Sequence, residues 1–308
     1  MTTVSAQMVK ALREKTGAGM MDCKKALGET SGNLEEAVDW LRKKGLSAAA
    51  KKADRVAAEG VVAFSVNEGY GSLVEVNAET DFVSRNEAFQ EFASTLANLV
   101  LEHGDSIDNL KIQEYPGTGR SVDEQLTHNI ATIGENMTIR RAIRIEADGG
   151  TVVPYMHNAI VPGIGKIGVL VAIKSEGAKD KIESLGKQLA MHVAATAPQS
   201  LSVAALDPSL LEREERILRE QARASGRPDD IVEKMVLGRL KKFYQEVVLL
   251  EQTFVIDNET KVSEVIEKTS KDLGKPVELV TFHRLSLGEG IDRDETNFAS
   301  EVAATLGN

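Results

Sequence analysis

Residues 61–77 read VVAFSVNEGYGSLVEVN. From here the spacing of apolar residues changes from that of a helix to the period of two that is typical of a strand. Two β-prone runs, 61–66 and 72–77, flank the turn 67–71, which contains two glycines. Runs of this kind on either side of a short glycine-containing turn predict a β-hairpin. The elements that follow this hairpin along the chain complete one unit and then repeat its pattern.

The first unit continues with a helix and a strand. Apolar residues recur at helical spacing over 86–100, which predicts a helix, and Thr80 or Asp81 is the candidate N-cap before it. A further strand is predicted over 137–147 and closes the unit. The expected order is therefore hairpin, helix and strand.

The same order begins again in the second half of the chain. Strand-like runs at 150–155 and 167–173 frame another turn, and a helix is predicted around 182–193. A strand-like run at 277–282 returns to this sheet. The similarity is one of pattern and not of residue identity, and it predicts two related α+β halves.

The stretch 163–168 reads GIGKIG and fits the spacing G-x-G-x-x-G of dinucleotide-binding loops. Such a loop must follow a strand and open a helix, whereas this stretch precedes a strand and has no acidic residue about 20 positions further on. The context favours a glycine-rich turn, and no nucleotide cofactor is expected.

The first 55 residues form a small basic unit. They carry 11 basic and 7 acidic side chains, against 26 and 40 in the remainder of the chain. Three helices are predicted: one capped by Ser5 that stops near Gly17, one that ends at Gly28, and one from Asn33 to Gly45. We refer to this unit as the head. A helical linker rich in alanine and lysine is expected to follow it.

Residues 207–252 interrupt the second half with two charged helices joined at 225–228. In the second of them, apolar residues recur every three or four positions from Val232 to Val247, which predicts an antiparallel helical hairpin. The fold class is therefore α+β with a three-helix bundle. The expected domains are the head at 1–55, core subdomain N at 56–148, core subdomain C at 149–206 and 253–291, the inserted hairpin at 207–252, and a C-terminal extension at 292–308.

Composition excludes several classes of protein. The net charge is −10 and aromatic residues make up 4% of the chain, which argues against a general nucleic-acid binder. Cys23 is the single cysteine, so an intramolecular disulfide and a cysteine-rich zinc site are excluded. No run approaches 18 apolar residues, which predicts no membrane span and a cytoplasmic protein. No catalytic motif, metal site or cofactor site is recognised.

Three places are candidate contact sites. At 79–85, Phe82 lies between polar residues where a strand gives way to a helix, and it either packs in the core or is held ready to wedge into a partner. Met20 and Met21 stand beside glycines, and one of the two is expected to be an exposed contact. His192 is either a partner contact or a buried structural histidine.

Two long motifs resemble a known family. Residues 12–27, LREKTGAGMMDCKKAL, and 75–85, EVNAETDFVSR, are similar to the two signatures of bacterial elongation factor Ts. Shorter stretches, MHVAA at 191–195 and GEGI at 288–291, extend the similarity. The resemblance runs in consistent order over about 4–291, and the sequence after Ile291 has no recognised counterpart.

The resemblance implies a guanine nucleotide exchange factor of elongation factor Tu, without covalent catalysis. It implies a ubiquitin-associated-like head, two α+β subdomains and an inserted helical hairpin. It also implies that Thr80, Asp81, Phe82 and Val83 disturb the Mg²⁺ site of the partner, with Asp81 and Phe82 as principal contacts. Docking contacts are implied for Met20 and Met21 in the head and for His192 in the second subdomain.

Some alternatives stay open from the sequence. A binding adaptor, whose head recognises ubiquitin-like or nascent-chain partners, is the competing class of function. The helical hairpin either packs on itself or serves as a dimer stalk or partner contact. Both a one-to-one and a two-to-two complex with the GTPase fit the pattern, and neither nucleic acid nor membrane is an expected partner.

Overall fold

The computed structural model describes residues 4–224, 226 and 228–292, and it has the predicted α+β class. The helices are α1 (Ala6–Thr16), α2 (Met20–Glu29), α3 (Leu34–Ala50), α4 (Glu87–His103), α5 (Ile107–Ile112), α6 (Val122–Ile133), α7 (Lys179–Thr196), α8 (Pro208–Arg223), α9 (Asp229–Val247) and α10 (Val262–Leu273). The strands are β1 (Glu59–Asn67), β2 (Tyr70–Ala78), β3 (Glu114–Tyr115), β4 (Arg120–Ser121), β5 (Met137–Glu146), β6 (Thr151–His157), β7 (Ile164–Gly165), β8 (Ile167–Ser175) and β9 (Val277–Ser286).

The first half contains the predicted hairpin. Strands β1 and β2 pair antiparallel in a sheet of order β5-β2-β1-β7. Helix α4 packs on β1 and β2 and buries Phe89, Phe92 and Leu96, which lie at the spacing of one helical face. The order hairpin, helix and strand is confirmed, but α5, β3, β4 and α6, which the sequence pattern did not predict, lie between α4 and β5.

The second half repeats this topology. Its sheet has the order β6-β8-β9, so the second hairpin strand again lies between the first hairpin strand and the strand that follows the helix. Helix α7 packs on β6 and β8 as α4 packs on β1 and β2. The sequence pattern missed α10, an amphipathic helix that buries Val262 and Ile266. The repeat predicted from the pattern is confirmed.

The two sheets share an apolar contact that includes Val62, Leu73 and Leu170. Gly168 lies in this contact, and a Cβ atom added there would come within 2.6 Å of Leu73 and 2.8 Å of Val62. Such distances are too short for ordinary packing. Gly168 therefore permits close approach of the two sheets, a packing role beyond the glycine-rich turn that the sequence predicted for 163–168.

The head is a three-helix cluster around Leu12, Cys23 and Leu27. Its third helix does not end at Gly45 as predicted but continues to Ala50, because Gly45 faces Ala131 of α6 and α3 packs along that helix. The predicted linker helix is therefore in part the last turn of α3, and turns lead from there to β1.

Helices α8 and α9 form the predicted antiparallel hairpin. Val232, Val236 and Leu240 of α9 are buried in a small cluster with Leu218 of α8. These contacts lie within the hairpin, so its apolar stripe is covered by its own partner helix. The division of the chain into five domains stays a prediction, and its last member, apart from Asp292, lies outside the described residues.

Candidate functional site

The candidate site is the segment 79–86, which we call the Phe82 turn. It joins β2 to α4 through a 3-10 helix, Asp81–Arg85. The predicted capping of α4 by Thr80 or Asp81 is wrong: Asn86 caps α4, and its side chain accepts a hydrogen bond from the backbone N–H of Phe89 at 3.2 Å. The 3-10 helix occupies the residues that separate this cap from β2.

The Phe82 turn exposes one pair of side chains and buries the next. Phe82 is 79% exposed and Asp81 is also exposed, whereas Val83 and Ser84 are buried. Val83 belongs to the core cluster of the first half, so its side chain anchors the turn. Core packing of Phe82, one of the two interpretations open from the sequence, does not occur. An exposed aromatic ring on a short anchored turn is suited to contact with another protein.

Hydrogen bonds hold the Phe82 turn from both ends. The Ser84 hydroxyl donates to the Asp81 carbonyl oxygen at 2.5 Å, and Gln90 Nε2 donates to the Ser84 carbonyl oxygen at 2.8 Å. At the other end, the backbone N–H and hydroxyl of Thr80 donate to the two carboxylate oxygens of Glu135 at 2.9 and 2.6 Å. Thr80 is thus partly buried and engaged within the protein, and Asp81 and Phe82 carry the exposed surface.

The head presents a second apolar surface at the start of α2. Met20 is 62% exposed and Met21 is 76% exposed, while Cys23 on the same helix is buried. Only one of the two methionines was expected to be exposed, but both are, because the buried face of α2 is formed by Cys23, Ala26 and Leu27. Methionine side chains are flexible and polarizable, so the pair forms an adaptable contact surface.

His192 does not lie on the surface. Its side chain is fully buried on α7, with Nε2 2.8 Å from Gln252 Oε1 and Nδ1 accepting the backbone N–H of Val255 at 3.2 Å. Burial lowers the pKa of His192, against the opposing effect of the Gln252 hydrogen bond. The expected direct docking contact of this side chain is corrected: both nitrogens are used inside the protein, and His192 fixes the segment that follows α9.

A fully buried carboxylate is the site feature that the sequence pattern missed. Glu75 accepts hydrogen bonds from Arg140 Nη1 at 3.1 Å, Arg141 Nε at 2.5 Å and the backbone N–H of Gly288 at 2.8 Å. A bulge in β5 places both arginines opposite Glu75, and Gly288 belongs to the segment after β9. The signal available in the sequence was that Glu75 is the one charged residue of β2. The cluster ties the second half of the chain to the strand that leads into the Phe82 turn.

A cleft of about 490 Å³ lies between the head and α6. It is bordered by an ion pair between Arg42 and Glu124 and by His128. The imidazole lies so close to Gly17 of the head that a Cβ atom added at this glycine would be 3.3 Å from His128 Nε2. Burial, and secondarily the charge of Arg120, lower the pKa of His128 to about 4. The fold therefore holds this imidazole neutral at the contact between head and core.

We expect the stability of the protein to depend on His128 between about pH 6.5 and pH 4. Because the pKa of His128 is lower in the folded chain, the unfolded chain binds the proton first as the pH falls, and stability is lost over that window. The melting temperature of wild type should therefore drop more from pH 7.5 to pH 5 than that of His128→Gln. Equal drops in the two proteins would contradict the expectation.

Across the part of the chain that the structure describes, histidine, cysteine, aspartate and glutamate side chains form no group of three that could hold a metal ion. Within the same residues, no helix is both long and apolar enough to cross a membrane. The described surface features are thus an exposed aromatic turn, a methionine pair on the head and a helical hairpin.

These features define an α+β protein whose distinctive surfaces are suited to contact with another protein. A family model described as Elongation factor TS matches residues 79–289. The chain is 59% identical over 307 residues to Elongation factor Ts of Rhodospirillum centenum, and the alignment covers 100% of both chains. It is 58% identical over 307 residues to Elongation factor Ts of Rhodospirillum rubrum, with 99% of each covered, and 55% identical over 307 residues to that of Zymomonas mobilis, with 100% of each covered.

The chain belongs to the elongation factor Ts family. The resemblance stated from the two signatures is thereby confirmed. Residues 292–308, for which the sequence offered no counterpart, are included in the full-length alignment with the Rhodospirillum centenum relative.

Proposed function

We propose that this protein is a guanine nucleotide exchange factor that binds GDP-bound elongation factor Tu, displaces Mg²⁺ and GDP, and allows GTP to rebind. The observation that carries the proposal is the Phe82 turn, which exposes an aromatic ring to 79% while its neighbours are anchored. The family membership of the chain supports the same role. No covalent bond changes in this function, so no catalytic residue is required.

Exchange follows from linked binding. If bound nucleotide weakens the affinity of the GTPase for the factor, the factor weakens the affinity for nucleotide by the same ratio. In a P-loop GTPase, backbone N–H groups, a lysine and Mg²⁺ hold the phosphates. An inserted aromatic ring and a nearby carboxylate that move these groups therefore favour the nucleotide-free state. We assign the ring to Phe82 and the carboxylate to Asp81, with Thr80 and Val83 holding them in place.

The free energy available from burial of Phe82 can be compared with the coupling free energy that exchange requires. Burial of one phenylalanine side chain contributes about 1.5–3 kcal/mol. A coupling of about 1–3 kcal/mol changes an affinity about 5–150-fold. Burial of Phe82 alone is thus of the same order as such a coupling. Once GDP has left, the nucleotide that is present at higher concentration rebinds by mass action.

The proposal is tested by release of a fluorescent GDP from elongation factor Tu in a stopped-flow instrument. Addition of the chain should accelerate release in proportion to its concentration until the rate reaches a plateau. Binding without acceleration would instead support the binding adaptor. The same samples in analytical ultracentrifugation decide between a one-to-one and a two-to-two complex.

We infer a cytoplasmic location, since translation takes place there. We also infer that the protein needs no cofactor.

The methionine pair gives a prediction about affinity. We expect Met20→Ala combined with Met21→Ala to weaken binding to elongation factor Tu about tenfold, because two exposed apolar side chains lose their contact area. The plateau rate of GDP release should change less than twofold. Calorimetry measures the affinity, and Ile112→Ala, which removes a 75% exposed side chain from α5, is the matched control. An unchanged affinity of the double variant would contradict a docking role of the head methionines.

A further inference from the structure

Glu135 makes a two-point contact with the Phe82 turn across a long stretch of sequence. It lies in the short loop between α6 and β5, 55 residues beyond Thr80. One carboxylate oxygen accepts the backbone N–H of Thr80 at 2.9 Å and the other accepts the Thr80 hydroxyl at 2.6 Å. Hydrogen bonds to an ionised carboxylate are stronger than those between neutral groups. A single side chain thus fixes both the backbone and the side chain of the residue that precedes the 3-10 helix.

The neighbouring residue, Asn136, extends this contact to the chain that leads from the head. Its backbone N–H donates to Glu79 Oε1 at 2.5 Å, and its Nδ2 donates to the carbonyl oxygen of Arg55 at 2.7 Å. The Arg55 guanidinium lies 3.3 Å from the Glu79 carboxylate. The loop at 135–136 therefore joins the Phe82 turn to the segment between the head and β1, and we call this set of contacts the latch.

We propose that Glu135 is a positioning residue for nucleotide exchange, which holds the Phe82 turn in its binding-competent conformation before the partner arrives. This inference rests on the proposed exchange function. Because the Phe82 side chain is exposed, packing against the core contributes little to holding it in place. Its position therefore depends on the anchored residues on either side of it. Without the latch, the competent conformation is populated only in part, and the apparent affinity falls by that fraction.

The chemistry of the contact explains why a carboxylate is needed. Both groups of Thr80 that face Glu135 are donors, and a carboxylate offers an acceptor to each. Glutamine has the same shape but offers one acceptor oxygen, and its amide nitrogen would face a second donor. Glu135→Gln therefore breaks one arm of the contact without leaving a cavity. Glu114→Gln, at an exposed position of β3, is the matched control.

Two measurements on the full-length chain test the proposal. In the free protein, Glu135→Gln should raise the rate of chymotrypsin cleavage after Phe82 about tenfold, because cleavage requires local opening of the turn, and cleavage elsewhere should stay unchanged. In the GDP-release assay, the slope of the rate against factor concentration should fall about tenfold, while the plateau should change less than twofold. Neither effect is expected for Glu114→Gln.

A double variant separates positioning from general stability. In a Phe82→Ala background, Glu135→Gln should have little further effect on release, because the group that it positions is gone. Unchanged cleavage after Phe82, equal acceleration at all cleavage sites, or full additivity with Phe82→Ala would overturn the positioning role. If the wild-type chain fails to release GDP, the exchange function fails, and the cleavage rates still decide whether Glu135 orders the turn.

Discussion

Replacement of Phe82 by alanine is expected to lower the plateau rate of GDP release from elongation factor Tu about 10–100-fold. The estimate follows from the loss of about 1.5–3 kcal/mol of side-chain burial, which is made only when the ring enters the partner. Because the ring is 79% exposed in the free protein, its removal should change the free energy of unfolding by less than about 0.5 kcal/mol. A large loss of rate at unchanged stability is therefore the signature of a wedge.

Two controls make this result specific. Ile112→Ala removes a comparably exposed side chain on another surface and should leave both the plateau and the slope of release unchanged. Phe82→Leu keeps apolar volume but not the ring, and we expect an intermediate rate. Release by Phe82→Ala at the wild-type rate would show that the aromatic ring does not drive exchange.

The second large effect is expected at Glu75, where we predict that Glu75→Gln lowers the free energy of unfolding by about 3–5 kcal/mol. The carboxylate is fully buried and pairs with Arg140 and Arg141, which are each about one quarter to one third exposed. Removal of one partner from a buried ion pair leaves uncompensated charge, and a loss of this size is typical. A glutamine at this position keeps one acceptor oxygen, so its amide nitrogen would face one of the donors that the second carboxylate oxygen now serves.

Urea unfolding at neutral pH measures this loss. Glu68→Gln, in the exposed β1–β2 turn, is the matched control and should change stability by less than about 0.5 kcal/mol. Because Arg141 also lies 3.6 Å from the Glu289 carboxylate, part of the arginine charge stays paired, and a value at the lower end of the range is expected. A loss below about 1 kcal/mol would mean that the cluster does not join the two halves.

The fold was largely predictable because its elements are locally encoded. The hairpin at 61–77, the helix from Asn86 and their repetition in the second half follow from apolar spacing alone. The end of α3 did not follow, since Gly45 becomes a packing position only when α6 lies beside it. Helix α10 was also missed, although its apolar residues are regularly spaced.

The candidate site was likewise predicted in part from the sequence. The motif at 79–85 located the Phe82 turn, but the sequence left open whether Phe82 or His192 would be exposed. Exposure is decided by what packs against a side chain, and the structure exposes Phe82 while it buries His192 between Gln252 and Val255. Composition and spacing therefore do not predict which of the two side chains is exposed.

The repeat, the basic head and the segment that carries the aromatic contact could be predicted from the sequence, because each depends on residues close together in the chain. Which side chains complete the site depends on how distant segments pack together. Glu135, the partner of Thr80, lies 55 residues further along the chain, and Gly288, one of the partners of Glu75, lies 213 residues further on. Hydrogen bonds of this kind form when distant segments are brought together by core packing, and no local period can encode them.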